Sequence, residues 1–156
     1  MLRNVTGIRL PVRSVLVVDD NLLVRRALCE LFTREGDPDV CGEAENGREA
    51  IEKAQLLRPN LIVTDLSMPV MNGLEETRLL KKLMPAVPVI IFTAHSDPFV
   101  EKDAREAGVS AVVSKSEAVA VLITKARGLL DQIARLVTSS PSPETATCPA
   151  SKRVEF

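Results

Sequence analysis

Three acidic residues sit where two apolar runs stop. Val15-Leu16-Val17-Val18 ends in Asp19-Asp20, and Leu61-Ile62-Val63-Thr64 ends in Asp65. A carboxylate at the end of a buried strand is costly unless a charged partner stands beside it. If both runs are parallel strands, three like charges converge at one sheet edge, which calls for a hard cation such as Mg²⁺ or for a proton. Other polar groups close apolar runs in the same way: Thr93 follows Val89-Ile90-Ile91-Phe92, and Lys115 comes just after Ala111-Val112-Val113. In open parallel sheets, ligands bind outside the carboxyl ends of the strands, where all of these residues would fall.

The segments between these runs have helical spacing. Asn21 is a candidate N-cap for a helix with Val24, Ala27, Leu28, Leu31 and Phe32 on one stripe, broken by Gly36-Asp37-Pro38. Residues 40–44 form a weaker strand. Asn46-Gly47 opens a helix carrying Ala50, Ile51, Ala54 and Leu57, which Arg58-Pro59-Asn60 ends. Asn72-Gly73 opens another, with Leu74, Leu79, Leu80 and Leu83 as its expected apolar face. Asp97-Pro98 fits an N-cap followed by Pro at the first helical position, Val100, Ala104 and Ala107 give that helix its inner face, and Gly108 suits its end. A last helix is expected over residues 117–137. Five β-α units in tandem predict an α/β fold: a five-stranded parallel sheet, doubly wound as (βα)5, with near-continuous apolar strands because both faces are covered.

The chain of 156 residues is long enough for one domain, and 46% hydrophobic with 26% charged residues fits a soluble globular protein. A net charge of −1 gives no bulk electrostatic case for nucleic acid or a membrane surface. No apolar run approaches a membrane span of roughly 20 residues, residues 1–13 lack a signal-peptide core, and a cytoplasmic location is expected. Cys29, Cys41 and Cys148 have no metal-ligand spacing, and the single histidine, His95, excludes a multi-histidine metal site. The expected organisation is a loose arm over residues 1–13, a folded domain over 14–137, and a disordered tail over 138–156, rich in Ser, Thr, Ala and Pro.

Four motifs stand in order, each after an apolar run: Val17-Val18-Asp19-Asp20, the segment Asp65-Leu66-Ser67-Met68-Pro69-Val70-Met71-Asn72-Gly73, Phe92-Thr93-Ala94-His95, and Ser114-Lys115. Together they resemble the receiver domain of bacterial two-component response regulators, a flavodoxin-like fold, over residues 14–137. The resemblance implies a phosphorelay protein in which Asp65 is the phosphoacceptor nucleophile. It implies Mg²⁺ held by Asp20, Asp65 and the Ser67 backbone carbonyl, with Asp19 acting through water. Lys115 would pair with one phosphoryl oxygen and the Thr93 hydroxyl with another. Such a site works by positioning and charge neutralisation. Without metal, the three aspartates should repel and hold protons more tightly. His95 has two open readings, contact with the phosphoryl site or a solvated loop residue; Ser67 could also tune hydrolysis.

The chain departs from the family pattern at two places. Val112 stands where the family usually has Tyr or Phe, so the usual inward swing of an aromatic ring has no counterpart, and backbone movement after Thr93 is the expected substitute. Ser116 replaces the Pro that often follows the lysine. A non-proline cis bond costs about 2.5–4 kcal/mol, so Lys115–Ser116 is expected to be trans. The missing proline resembles receivers joined to LuxR-type helix-turn-helix domains. No such domain is expected within these 156 residues, so the expectation is a stand-alone receiver or a truncated or degenerate relative of a two-domain regulator.

The implied partners are a histidine kinase or histidine phosphotransfer protein, and an effector or second copy at the face built by the fourth helix, fifth strand and fifth helix. No direct nucleic-acid binding is expected. The implied chemistry is self-phosphorylation and slow self-dephosphorylation, not turnover of a substrate. Two other functions compete: an interaction module that keeps the fold without phosphorylation, and an aspartyl-nucleophile phosphatase of haloacid-dehalogenase type. The latter carries a DxD after its first strand, whereas here the aspartates are adjacent.

Overall fold

The computed structural model describes residues 2–5, 8–94 and 97–138. Its main body is a five-stranded parallel sheet ordered β4-β3-β5-β6-β7. The strands are β3 (Ser14–Val18), β4 (Asp39–Ala44), β5 (Leu61–Thr64), β6 (Val89–Thr93) and β7 (Ala111–Ser114). The helices are α1 (Leu22–Glu35), α2 (Gly47–Leu57), α3 (Gly73–Leu83), α4 (Pro98–Ala107) and α5 (Val119–Thr138). This is the doubly wound α/β fold expected from the alternation of runs.

Side-chain alternation along the strands divides the core in two. Val15 and Val17 of β3, with Leu61, Val63, Ile90 and Phe92, pack against Leu28, Leu31 and Phe32 of α1 and Leu122, Ala126 and Leu130 of α5. Leu16 and Val18 point the other way, with Ile62 and Val89, onto Ala50 and Ala54 of α2 and Leu80 of α3. Both faces are covered, so the strands are apolar without a polar alternate. Cys29 and Cys41 are free and half-buried, each packed beside a core cluster; Cys148 lies outside the described residues.

The helix starts follow from side-chain caps. Asn21 accepts from the Leu23 and Val24 N–H groups, Asn46 from Glu49, and Asp97 from Val100. Asn72 forms a capping box with Glu75, satisfying donors that the first turn leaves without partners. Gly36 and Gly108 end α1 and α4 in the left-handed conformation.

The N-terminal arm contains an antiparallel pair, β1 (Leu2–Val5) with β2 (Ile8–Pro11), in register from Leu2↔Pro11 to Val5↔Ile8 and separate from the five-stranded sheet. Leu2-Arg3-Asn4-Val5 and Ile8-Arg9-Leu10-Pro11 are short runs separated by two residues, a spacing that suits a hairpin. One expectation needs correction: the inner face of α3 is out of phase with the one expected. Leu79 and Leu83 are exposed, while Glu76, Thr77 and Leu80 are buried. The expected tail, apart from Thr138 at the end of α5, lies outside the described residues.

Candidate functional site

The sheet brings the acidic strand ends together. The Asp65 N–H donates to the Val18 carbonyl at 3.0 Å and the Asp19 N–H to the Ala44 carbonyl at 3.0 Å, so β3 and β5 leave the sheet side by side. Oxygens of Asp19, Asp20 and Asp65 lie within 4.8 Å of one another. The three residues differ in environment. Asp19 is 1% exposed, Asp65 is buried, and Asp20 is exposed.

Lys115 enters from the far side. The Lys115 N–H donates to the Thr93 carbonyl at 2.7 Å, which fixes the residue at the end of β7 beside β6. Its ammonium lies 2.9 Å from Asp19 Oδ2 and 3.5 Å from Asp65 Oδ1. The Phe92 ring centroid is 5.9 Å from Nζ, near enough for a cation–π attraction. Asp19 Oδ1 accepts from the Asn21 N–H at 2.9 Å, so both Asp19 oxygens are engaged. Arg25 Nη1 donates to the Asp19 carbonyl at 2.6 Å while its Nε meets Glu43 Oε1 at 3.0 Å, adding a second cation to the rim.

Asp65 holds its proton more tightly than an ordinary aspartate. Burial is the main cause and the Asp19 charge the next; Lys115 and the Leu66 N–H oppose them, and Asp20 adds a further push. The repulsion expected among the aspartates is present at Asp65, but desolvation outweighs it. A divalent cation would favour the ionised form by supplying charge where Lys115 supplies only part of it.

The loop after Asp65 folds tightly over α3. Leu66 N–H donates to Asp65 Oδ1 at 2.8 Å, and the Gly73 N–H donates to the Leu66 carbonyl at 2.9 Å. Gly73 packs so closely that a Cβ there would sit 2.3 Å from the Asp65 carbonyl oxygen. Val70 takes a left-handed conformation with φ of 69°, unusual for a β-branched residue. Ser67 is exposed two residues beyond Asp65, and Thr93 is buried at the end of β6. The Lys115–Ser116 bond is trans, as expected. Val112 is half-buried on β7 and lines a cleft of 370 Å³ with Glu101, Arg105, Glu117 and Lys125. His95 lies outside the described residues.

The structure therefore gathers Asp19, Asp20, Asp65 and Lys115 in one place and sets Thr93 in the strand next to Lys115. Sequence reasoning missed Arg25, Phe92, Thr64 and Glu76. Phe92 opens the Phe92-Thr93-Ala94-His95 motif and Thr64 immediately precedes Asp65, but no role is legible for either from the motifs alone. Arg25 and Glu76 read as ordinary helix-surface charges.

The response regulator receiver domain family matches residues 15–127. A protein-glutamate methylesterase/protein-glutamine glutaminase of Hahella chejuensis is 38% identical over 142 residues, covering 88% of this chain and 36% of the relative. The transcriptional regulatory protein LnrK of Bacillus subtilis is 36% identical over 102 residues, covering 65% of this chain and 46% of the relative. The chain thus spans less than half the length of these curated relatives. Among solved structures, a LuxR-family two-component response regulator from Aurantimonas superposes with a TM-score of 0.75 at 30% identity, covering 93% of this chain and all of the other. The response regulator domain of Thermotoga maritima CheB gives a TM-score of 0.67 at 30% identity, covering 84% of this chain and 100% of the other. The chain belongs to the response regulator receiver domain family.

Proposed function

We propose that this protein is the phosphoacceptor of a two-component phosphorelay, taking a phosphoryl group on Asp65 and changing its affinity for a partner. The observation that carries the reading is the convergence of Asp19, Asp20 and Asp65 beneath the Lys115 ammonium. An Asp65 carboxylate oxygen attacks phosphorus, the bond from phosphorus to the donor's imidazole nitrogen breaks, and an acyl phosphate forms. Lys115 neutralises one developing oxygen charge, and the Thr93 hydroxyl is assigned to another.

The residues present fit Mg²⁺: hard oxygen donors cluster at a strand end, and the Asp65 carboxylate is under-neutralised without it. Asp20, Asp65 and the Ser67 carbonyl would hold the ion. Full engagement of the Asp19 oxygens supports an outer role for that residue, through water. When bound, the ion would neutralise carboxylate and phosphoryl charge.

The response would run from Thr93 into β7 and the face formed by α4, β7 and α5. Phe99 and Val119 are exposed there, and with Val100 and Val112 they would meet an effector or a second copy. A histidine kinase or phosphotransfer protein is the proposed donor. No helix among the described residues is long and apolar enough to cross a membrane, and we assign the protein to the cytoplasm. Self-dephosphorylation is the only other chemistry assigned to this chain. Membership of the receiver family leaves the phosphatase reading without support.

The test is intact mass after incubation with acetyl phosphate, with and without Mg²⁺, on wild type and Asp65→Asn. The reading predicts a Mg²⁺-dependent gain of one phosphoryl group that the variant lacks. Stoichiometric, lasting labelling of Asp65→Asn at another residue would contradict it.

A further inference from the structure

Glu76 is the one buried acidic side chain among the described residues that the proposed chemistry does not use. It is fully buried in the first turn of α3, and its Oε2 has no hydrogen-bond partner. Its Oε1 lies 2.8 Å from Thr64 Oγ1, and the same Thr64 oxygen lies 3.2 Å from the Asp65 carbonyl oxygen. Thr64 has one hydroxyl hydrogen and two neighbours that accept. Both contacts are satisfied only if Glu76 is the neutral acid, donating to Thr64 Oγ1 while Thr64 donates to the Asp65 carbonyl. Complete burial with an orphan oxygen favours that form, since an uncharged carbonyl oxygen without a partner costs far less than an unpaired charge. Burial raises the proton affinity of Glu76 in the same sense.

The Asp65 carbonyl is one half of a planar peptide unit whose other half is the Leu66 N–H. That N–H is the donor to Asp65 Oδ1, at 2.8 Å. Holding the carbonyl therefore holds the N–H that aims the carboxylate. Gly73 closes on the same carbonyl from the α3 side, so the peptide is gripped by Thr64 and bounded by Gly73.

Resting on the phosphoacceptor reading, we infer that Glu76 is a positioning residue for Asp65, acting through Thr64 on the Asp65–Leu66 peptide and so on the orientation of the phosphoacceptor carboxylate.

The test uses the full chain carrying Glu76→Leu, Glu76→Gln, Thr64→Val, or Glu76→Leu with Thr64→Val. Mg²⁺ affinity is read by titration calorimetry, the initial rate of phosphoryl uptake from acetyl phosphate by intact mass, and stability by urea unfolding. In Glu76→Leu, Mg²⁺ affinity and uptake rate should each fall about three- to tenfold, the worth of one lost hydrogen bond. Stability should stay at or above wild type, because an apolar side chain replaces a carboxyl with an orphan oxygen. Glu76→Gln can still donate to Thr64 and should hold both readouts within about twofold of wild type. Thr64→Val should reproduce the Leu loss, and the double variant should be no weaker than either single, since all remove one chain of contacts. Wild-type Mg²⁺ affinity in Glu76→Leu, or losses that add in the double variant, overturns the inference. A wild type that binds Mg²⁺ yet takes no phosphoryl group contradicts the proposed function instead, and the Mg²⁺ affinities of the variants still decide the role of Glu76.

Discussion

Replacing Lys115 with methionine removes the ammonium but keeps an apolar stem beside Phe92, so its effect isolates charge. In the wild type, this cation sits 2.9 Å from Asp19 and 3.5 Å from Asp65, with the Lys115 side chain 21% and the Asp19 side chain 1% exposed. Removing one member of a fully buried pair costs about 3–5 kcal/mol. Here the lysine is partly solvated and Asp19 keeps the Asn21 N–H, so we expect about 2 kcal/mol in metal-free buffer. For a folded domain of this size, that corresponds to a fall in Tm of roughly 6–10 °C. Mg²⁺ would replace the missing positive charge, so adding it should raise the Tm of the variant more than that of the wild type. Circular dichroism is the appropriate probe, because the chain has neither Trp nor Tyr. Equal stability of variant and wild type without Mg²⁺, or a Mg²⁺-induced rise no larger in the variant, would refute the claim that Lys115 and the metal serve the same carboxylates.

Other perturbations follow from the same geometry. Glu76 carries a folded-state pKa pushed up to about 8 from 4.5, so between those values the folded protein keeps a proton that the unfolded chain has lost. The stability this group confers is full below pH 4.5 and declines as pH rises toward 8; Glu76→Gln escapes that decline and should exceed wild type by about 3 kcal/mol in urea unfolding at pH 7, with the gap closing near pH 4. Gly73→Ala places a methyl against the Asp65 carbonyl oxygen and should cost about 1–3 kcal/mol, together with slower phosphoryl uptake; unchanged uptake would mean that the loop accommodates the methyl freely. Val70→Gly should stabilise the protein by about 1 kcal/mol by relieving the left-handed conformation of a β-branched residue, read in the same urea assay.

Much of this was legible in the chain because its signals are local. Asn21, Asn46, Asn72 and Asp97 announce helix starts by accepting from nearby N–H groups, an event confined to three or four residues. Asp19, Asp20, Asp65, Thr93 and Lys115 were readable because each stands where an apolar run stops. Glu76 was not, because its significance depends on what lies across from it. Next to Glu75 in a first helical turn, an acidic residue looks like a solvated charge complementing the helix dipole, and only the packing of α3 on β5 turns Glu76 inward. The same mistaken phase put Leu79 and Leu83 on the inner face. Arg25 was hidden likewise, since its role rests on the Asp19 carbonyl and on Glu43 of a neighbouring strand.

The central claim is that the phosphoryl group resides on the Asp65 side chain, and chemical mapping of that residue tests it most directly. After incubation with acetyl phosphate and Mg²⁺, borohydride reduces an aspartyl phosphate to homoserine and leaves a free carboxylate untouched. Peptide mapping should find homoserine at position 65, dependent on both donor and Mg²⁺. Unmodified Asp65 in protein that has demonstrably gained a phosphoryl group, with the modification at another residue, would contradict the account.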